Sequence, residues 1–475
     1  MAKPALTGSS ATLTRGLTFV PAAAIIITNV IGTGIFLKAR TMTCNVGTPG
    51  MVLLAYAVAG IFTLAGALTF AELSAMMPRA GGHYNYLGAA FGRVWAFLFG
   101  WMEAFIDTAG SGAAGAIVFV IFFNDLIGGS LSPTVSALIA VAVLLVVMAL
   151  NLTTVHANGA IATFITALKV LMVFGIGAAA FLFSDGSGAN FAASGSGGTC
   201  EGIPAISMLG VAGFGAAVVG ALWSYNGWAV VSFIAEEVKD PGKTLPRSLI
   251  WASILIIALY LLITAGYFYV LTPVEVASVS ESASVSGVVL VNLVGAVGAS
   301  LMAAGLLVSQ FGALHANFLV GSRLPFAMAR DGMLPRTLAK VSPNTHVPTH
   351  SVVLLVFVAI VFALLGTFDV ITDMIVMALL LFNGLAIASI YVLRKNLPDA
   401  DRPYRMWGYP WVPALFLIST LYLMINTFFA TPWRAIAGLG IVLLGLPVYA
   451  YYARKLEPSK PEDFLGEEPD HAGGR

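Results

Sequence analysis

Three groups of residues could do chemistry, and all three lie in apolar surroundings. The first is Ile25 to Leu37, I-I-I-T-N-V-I-G-T-G-I-F-L, a stretch hydrophobic enough for a bilayer but interrupted by Gly32, Thr33 and Gly34. Glycine costs about 1 kcal/mol in a helix interior, and β-branched Thr33 between two glycines does not restore the helix. Backbone freed at membrane depth must face protein or a water-filled cavity. Bare N–H groups at a half-helix start suit a carboxylate, and bare C=O groups at a half-helix end suit an ammonium. A broken helix here could therefore hold a small zwitterion. The second group is the isolated ions. Lys169 sits in A-T-F-I-T-A-L-K-V-L-M-V-F-G, and Glu103 and Asp107 lie four residues apart, on one helix face. The third is Glu72, Glu236 and Glu237 with Arg79, Lys239, Arg323 and Arg330, acids and bases that fall at helix ends.

The elements that must position these residues follow from composition. Of 475 residues, 59% are hydrophobic and 9% charged. A soluble domain carries roughly 25% charged residues, so this chain is an all-α integral membrane protein. The net charge of +1 gives no reason to expect nucleic acid, and two cysteines exclude a disulfide framework or a thiolate metal cage. No metal or cofactor is expected. The polar N-terminus lacks an apolar h-region, so no cleaved signal peptide is expected. Segments of about 20 apolar residues give about twelve spans. They fall near 18–38, 49–76, 93–123, 133–152, 159–183, 206–235, 247–271, 288–320, 351–367, 370–393, 411–429 and 434–453, with Met77–Gly92 as a short polar link.

Lys and Arg cluster in alternate loops (Lys239, Lys243, Arg247; Arg323, Arg330, Arg336, Lys340; Arg394, Lys395, Arg402, Arg405; Arg454, Lys455), whereas Asn124–Ser132, Ser184–Pro204 and Thr272–Gly287 hold none. That asymmetry places both termini in the cytoplasm. Spans one to five (18–183) and six to ten (206–393) then form two halves of opposite orientation, an inverted repeat, with accessory helices at 411–453, a segment 1–17 before and a polar tail 454–475 after. Span six contains V-G-A-L-W-S-Y-N-G-W, where Ser224, Asn226 and Gly227 make a second unwinding point at the matching place. The alternative is a seam of small residues for helix packing.

Lys169 lies about ten residues into its span, roughly 15 Å of rise, which is deep for snorkelling to the surface. An intramembrane lysine is costly and by default functional. Glu103 and Asp107 read either as a proton-holding pair or as carboxylates satisfied by neighbouring Tyr, Ser or Asn. The acids and bases at the inner ends (Glu72, Arg79, Glu236, Glu237, Arg323) read either as a salt-bridge gate or as solvated pairs of little worth. Other signals fail: Gly242-Lys243-Thr244 lacks a P-loop's first glycine and preceding strand, no His pair has the zinc-protease spacing, and Pro348 separates His346 from His350.

Five spaced segments carry a family likeness: I-G-T-G-I-F in span one, A-E-L-S-A-M-M-P-R-A-G-G-H-Y-N-Y after span two, W-S-Y-N-G-W in span six, S-R-L-P-F-A-M-A-R-D-G-M-L-P after span eight and D-R-P-Y-R before span eleven. From Arg15 to Tyr452 the chain resembles the amino acid–polyamine–organocation superfamily, above all its L-type amino acid transporter branch. The resemblance implies the leucine-transporter fold of two inverted five-span halves plus two helices. It also implies sodium-independent exchange of amino acids at the plasma membrane by alternating access, and no enzyme. It places a carboxylate-binding turn at Gly32, Thr33 and Gly34, ammonium-binding carbonyls at Val30, Ile31, Trp223 and Asn226, and an outer aromatic gate at Trp223 beside Ser224. Side-chain contributors fall on Asn383, with Phe382 beside it, and Lys169 falls where an ammonium stands in for sodium. Glu103 matches an acidic position, Asp107 matches none, and Thr108 replaces an arginine. The loop Asn124–Ser132 lacks the cysteine that links mammalian members to a glycoprotein, so no disulfide-linked heavy chain is expected. Cys44 and Cys200 could pair, but the sequence does not decide it. An uncharged Asn226 points to neutral amino acids of small to medium size. The alternatives are a proton-coupled symporter of an amino acid, amine or polyamine, and a non-transporting sensor, for which the tail after Leu456 is short.

Overall fold

The computed structural model describes residues 12–465 apart from 196–197, 204–206, 281–282, 366–367 and 455. Among the described residues every regular element is helical, and Leu17 and Val238 form a single β-bridge. Among the described residues ten helices are long and apolar enough to cross a membrane, or eleven with the pair Phe19–Val30 and Gly34–Val46, bent by 44°, counted as one span. The expected ninth span is the apolar helix Thr349–Leu365, which falls short of the length of about 20 residues a perpendicular span needs.

Most spans start and stop within a few residues of their hydrophobic limits, and the departures have local causes. Span one continues to Val46, and Gly47 closes it with a left-handed backbone. Span seven begins at Pro241 rather than near 247, because a proline costs nothing in a first turn, where its missing N–H has no partner to find. Span eight does not start at 288. A short helix, Val285–Val294, ends at Gly295, and the span proper is Val297–Gly321. The link Met77–Gly92 is not a polar surface loop. It holds the helix His83–Phe91, with His83, Tyr84, Asn85, Tyr86 and Leu87 all buried. Cys44, in the last turn of span one, is disulfide-bonded to Cys200 with Cα atoms 5.7 Å apart.

Apolar side chains from nearly every helix form one continuous core, and the largest buried group in it is a cation, Arg323. The first half of span one lies in its centre, packed against spans five, seven and eight. Its residues from Ala22 to Thr28 are all buried, which places the Gly32 break inside the bundle, away from lipid.

Candidate functional site

The two interrupted helices break where the sequence is weakest, and the breaks meet. Span one leaves helical geometry at Ile31 (ψ 82°), where the Gly32 N–H turns back to the Val30 carbonyl at 2.8 Å, and helix resumes at Gly34. Among the described residues none supplies an acceptor to the N–H groups of Thr33, Gly34 and Ile35, the expected orphans of a helix start. Span six is helical over Gly210–Tyr225, turns extended at Asn226 (ψ 148°) and takes a positive φ of 100° at Gly227, then tightens to a 3-10 helix over Val230–Glu237. Glycine is required twice. A Cβ on Gly227 would lie 2.6 Å from the Asn29 Oδ1, and one on Gly34 would lie 2.9 Å from the Ser224 backbone. A Cβ on Gly32 would meet nothing nearer than the Val30 oxygen at 4.0 Å, so this glycine borders open space.

Polar side chains from three other spans satisfy the exposed carbonyl ends. The Lys169 ammonium, 1% exposed, donates to the Thr28 oxygen at 2.6 Å and the Ile31 oxygen at 2.8 Å. Ser309 of span eight donates to the same Ile31 oxygen at 3.2 Å. Tyr260 of span seven bridges the breaks: its hydroxyl lies 3.1 Å from the Val30 oxygen and 3.0 Å from the Ser224 oxygen. A positive group at the negative end of a helix is favourable, and more so where water is excluded. Lys169 therefore binds the half-helix end and does not snorkel. The Val30 carbonyl thus accepts from the Gly32 N–H and the Tyr260 hydroxyl and the Ile31 carbonyl from Lys169 and Ser309, so each already holds two partners. Trp223 is 55% exposed, with the Lys38 Nζ 4.7 Å from its ring centroid.

Beside the breaks lies a cavity of about 250 Å³. Of the residues expected at the site, Asn226 and Asn383 line it, together with both carboxylates of span three, Glu103 and Asp107. Phe382 does not. It is 1% exposed and packs edge-on against Phe99. The remaining polar lining was not singled out from sequence: Asn29, His83, Ser111, Gln310 and Asn317. Gln310 and Asn317 are two helical turns apart on one face of an otherwise apolar span, a signal the sequence did offer. His83 offered none, because its segment read as a loop; its Nε2 lies 3.1 Å from the Asn383 Oδ1. Span three is wound as a π-helix over Glu103–Thr108, a local widening that recurs at functional sites. Asn317 donates to the Thr108 carbonyl of that segment at 2.8 Å.

The span ends that carry the clustered Arg and Lys are tied together by ion pairs. Arg323 holds Glu237 bidentately at 2.6 and 2.9 Å with both side chains fully buried, and Arg330 holds Glu236 at 2.8 and 2.9 Å nearer the surface. Arg79 pairs with Asp331 at 3.0 Å, and the Gly81 N–H donates to the Phe233 carbonyl. Glu72 does not join this set. It takes Arg394 at 2.6 and 2.9 Å and the Met406 N–H at 2.8 Å, binding span two to span ten and the loop beyond. The sequence places Glu72 at an inner end but cannot say which inner ends adjoin.

Comparison with known proteins agrees with this architecture. The chain matches the amino acid permease family over residues 17–446. It is 29% identical over 437 residues to the serine/threonine exchanger SteT of Bacillus subtilis (strain 168), covering 91% of this chain and 95% of that protein. It is 28% identical over 463 residues to the human cystine/glutamate transporter (95% of this chain, 87% of the relative). It is 26% identical over 473 residues to the human large neutral amino acids transporter small subunit 2 (96% and 84%). The chain belongs to the amino acid permease family, with its likeness to the L-type branch, and is a multi-spanning transporter of amino acids and not an enzyme.

Proposed function

We propose that the protein exchanges neutral amino acids of small to medium size across the plasma membrane by alternating access, without sodium, with both termini in the cytoplasm. The observation that carries this reading is the meeting of two half-helix ends, whose Val30 and Ser224 carbonyls both lie within hydrogen-bonding reach of the one Tyr260 hydroxyl. The substrate carboxylate lies over the N–H groups of Thr33 and Gly34, where Gly32 leaves room. Its ammonium takes the free lone pairs of the Trp223 and Asn226 carbonyls and shares the Val30 and Ile31 carbonyls with the donors already on them. A zwitterion at membrane depth must have both charges met by fixed dipoles or lose several kcal/mol. Lys169 supplies the positive charge that a sodium ion would otherwise bring to the Thr28 and Ile31 oxygens.

The inner staples Arg323–Glu237, Arg330–Glu236 and Arg79–Asp331 act as the gate that parts when the halves rock. The relatives' named substrates share one α-amino acid head and differ in side chain, which fits a head-group site built from backbone. Cys44 and Cys200 are spent on each other, so the protein works without a disulfide-linked heavy chain. The test is efflux of labelled alanine from preloaded proteoliposomes in sodium-free buffer. External alanine or serine should accelerate it and external tryptophan should not. Efflux that needs sodium, or that is indifferent to external amino acid, overturns the reading.

A further inference from the structure

A strip of exposed residues leads along the half-helix Gly34–Val46 to the break in span one, and it carries one charge. The residues of this half-helix are buried except Leu37, Lys38 and Thr41. At 100° per residue these three fall on one side of the helix, and Gly32 and Thr33 at its start are partly exposed as well. An ammonium facing hydrocarbon is costly, so the strip borders a polar space and not lipid.

Lys38 has no counter-charge there. Among the described residues it takes part in no ion pair, and its described partner is the Trp223 ring, 4.7 Å from the Nζ. An indole face is a weak partner for a cation beside a carboxylate. The other cation of the half-helix, Arg40, is buried and donates to the Glu201 carbonyl at 2.7 Å. Glu275, an acid of the next loop at this end, is occupied by the Thr272 N–H and hydroxyl at 2.7 and 2.8 Å.

The position of Lys38 points to what the missing partner is. It lies four residues after Gly34, on the same face and about 6 Å further along the axis, and helical side chains lean toward the N-terminal end. Trp223, which holds its ammonium, adjoins Ser224, whose backbone is 2.9 Å from where a Gly34 Cβ would stand. The charge is therefore kept beside the turn whose Thr33, Gly34 and Ile35 N–H groups lack acceptors among the described residues. A helix start is itself partly positive, so a lysine leaning over it is unfavourable until an anion arrives.

We propose that Lys38 is a specificity residue of the head-group site: its ammonium moves from the Trp223 ring onto the substrate carboxylate seated at Gly32–Gly34. The inference rests on the exchange reading above and deepens it, adding a side-chain cation to a carboxylate site otherwise made of peptide N–H groups. The flexible four-carbon stem lets the ammonium follow the carboxylate. When the site empties, the partly exposed charge returns to the indole and is not stranded. An amino amide of the same skeleton gives Lys38 no charge to pair with and is selected against.

The test uses the full-length protein in sodium-free proteoliposomes, with alanine as substrate and alaninamide as competing inhibitor. Lys38→Met should raise the alanine KM about tenfold or more and change the maximal rate much less, as expected when a contact made on binding is lost. Lys38→Arg keeps a cation that stacks on the indole and should stay within about threefold of wild type. The ratio of the alaninamide inhibition constant to the alanine KM should fall about tenfold in Lys38→Met, because alanine alone loses a partner; this ratio does not depend on how much folded protein reaches the membrane. An alanine KM within threefold of wild type in Lys38→Met, an equal rise in Lys38→Arg, or an unchanged alaninamide ratio sinks the role of Lys38 and leaves the exchanger standing. Absence of alanine exchange by the wild type sinks both.

Discussion

Replacing Lys169 by Met keeps the length of the side chain and deletes its charge and donors. The ammonium now makes two bonds to carbonyls, at 2.6 and 2.8 Å, and hydrogen bonds from a charged donor contribute about 1.5–3 kcal/mol each. The Ile31 oxygen would keep Ser309, but the Thr28 oxygen would lose the partner described for it, in an apolar interior. Against this, the variant no longer buries an ammonium, a relief of about 2.5–3.5 kcal/mol on insertion scales. At the middle of these ranges the variant is left with a net weakening of the broken geometry of about 1.5 kcal/mol, or roughly tenfold in its population. The assay is alanine counterflow at matched protein density, with Lys169→Arg beside it, since a planar fork cannot reproduce the two contacts of a compact ammonium. Lys169→Met should exchange at a tenth of the wild-type rate or less, and wild type should ignore sodium. A methionine variant within threefold of wild type, or a wild type that needs sodium, refutes the role given to this residue.

The glycines of the two breaks should respond differently to one added methyl. Gly227→Ala must adopt a positive φ and crowd Asn29, a strain of about 1–3 kcal/mol, and should lower the melting temperature of the purified protein as well as transport. Gly32→Ala clashes with nothing, so it should melt like wild type yet weaken alanine binding, read as a raised KM; equal melting losses in both would contradict the assignment of open space beside Gly32. At the inner face, Glu237→Gln strands a fully buried Arg323 and should cost about 3–5 kcal/mol, whereas Glu236→Gln touches a half-exposed pair and should cost about 1 kcal/mol or less, measured as thermal stability in detergent. Equal effects would mean that burial does not rank these pairs.

What the sequence disclosed and what it withheld divide along the range of the physics. The breaks were legible because glycine acts through its own backbone: Gly32, Gly34 and Gly227 unwind their helices from local geometry, and Lys169 stood out because an ammonium in an apolar span has no local excuse. The cavity lining was not legible in the same way. A four-residue spacing puts Glu103 and Asp107 on one face but does not say which neighbour that face meets, and the π-wound turn rephases the residues that follow. Glu72 went to Arg394 instead of the gate, and Met77–Gly92 went into the core as a helix, because both outcomes depend on which inner ends lie side by side. The Cys44–Cys200 bond likewise needed the fold of the 184–209 loop.

This division has a functional side. Every amino acid presents the same head, so the part of the site that grips it can be made of peptide groups, fixed by glycines and independent of side-chain identity. Uncharged helix ends also leave no buried ion stranded when substrate departs, which keeps the empty carrier able to change shape. In the reading proposed above, selectivity falls to the residues that face the side chain, for which the cavity offers polar and acidic groups from spans three, six, eight and ten. Substituting side-chain-facing residues such as Asn226 or Asp107 should therefore change which amino acids are carried, whereas changes at Gly32 or Tyr260 should impair all of them alike.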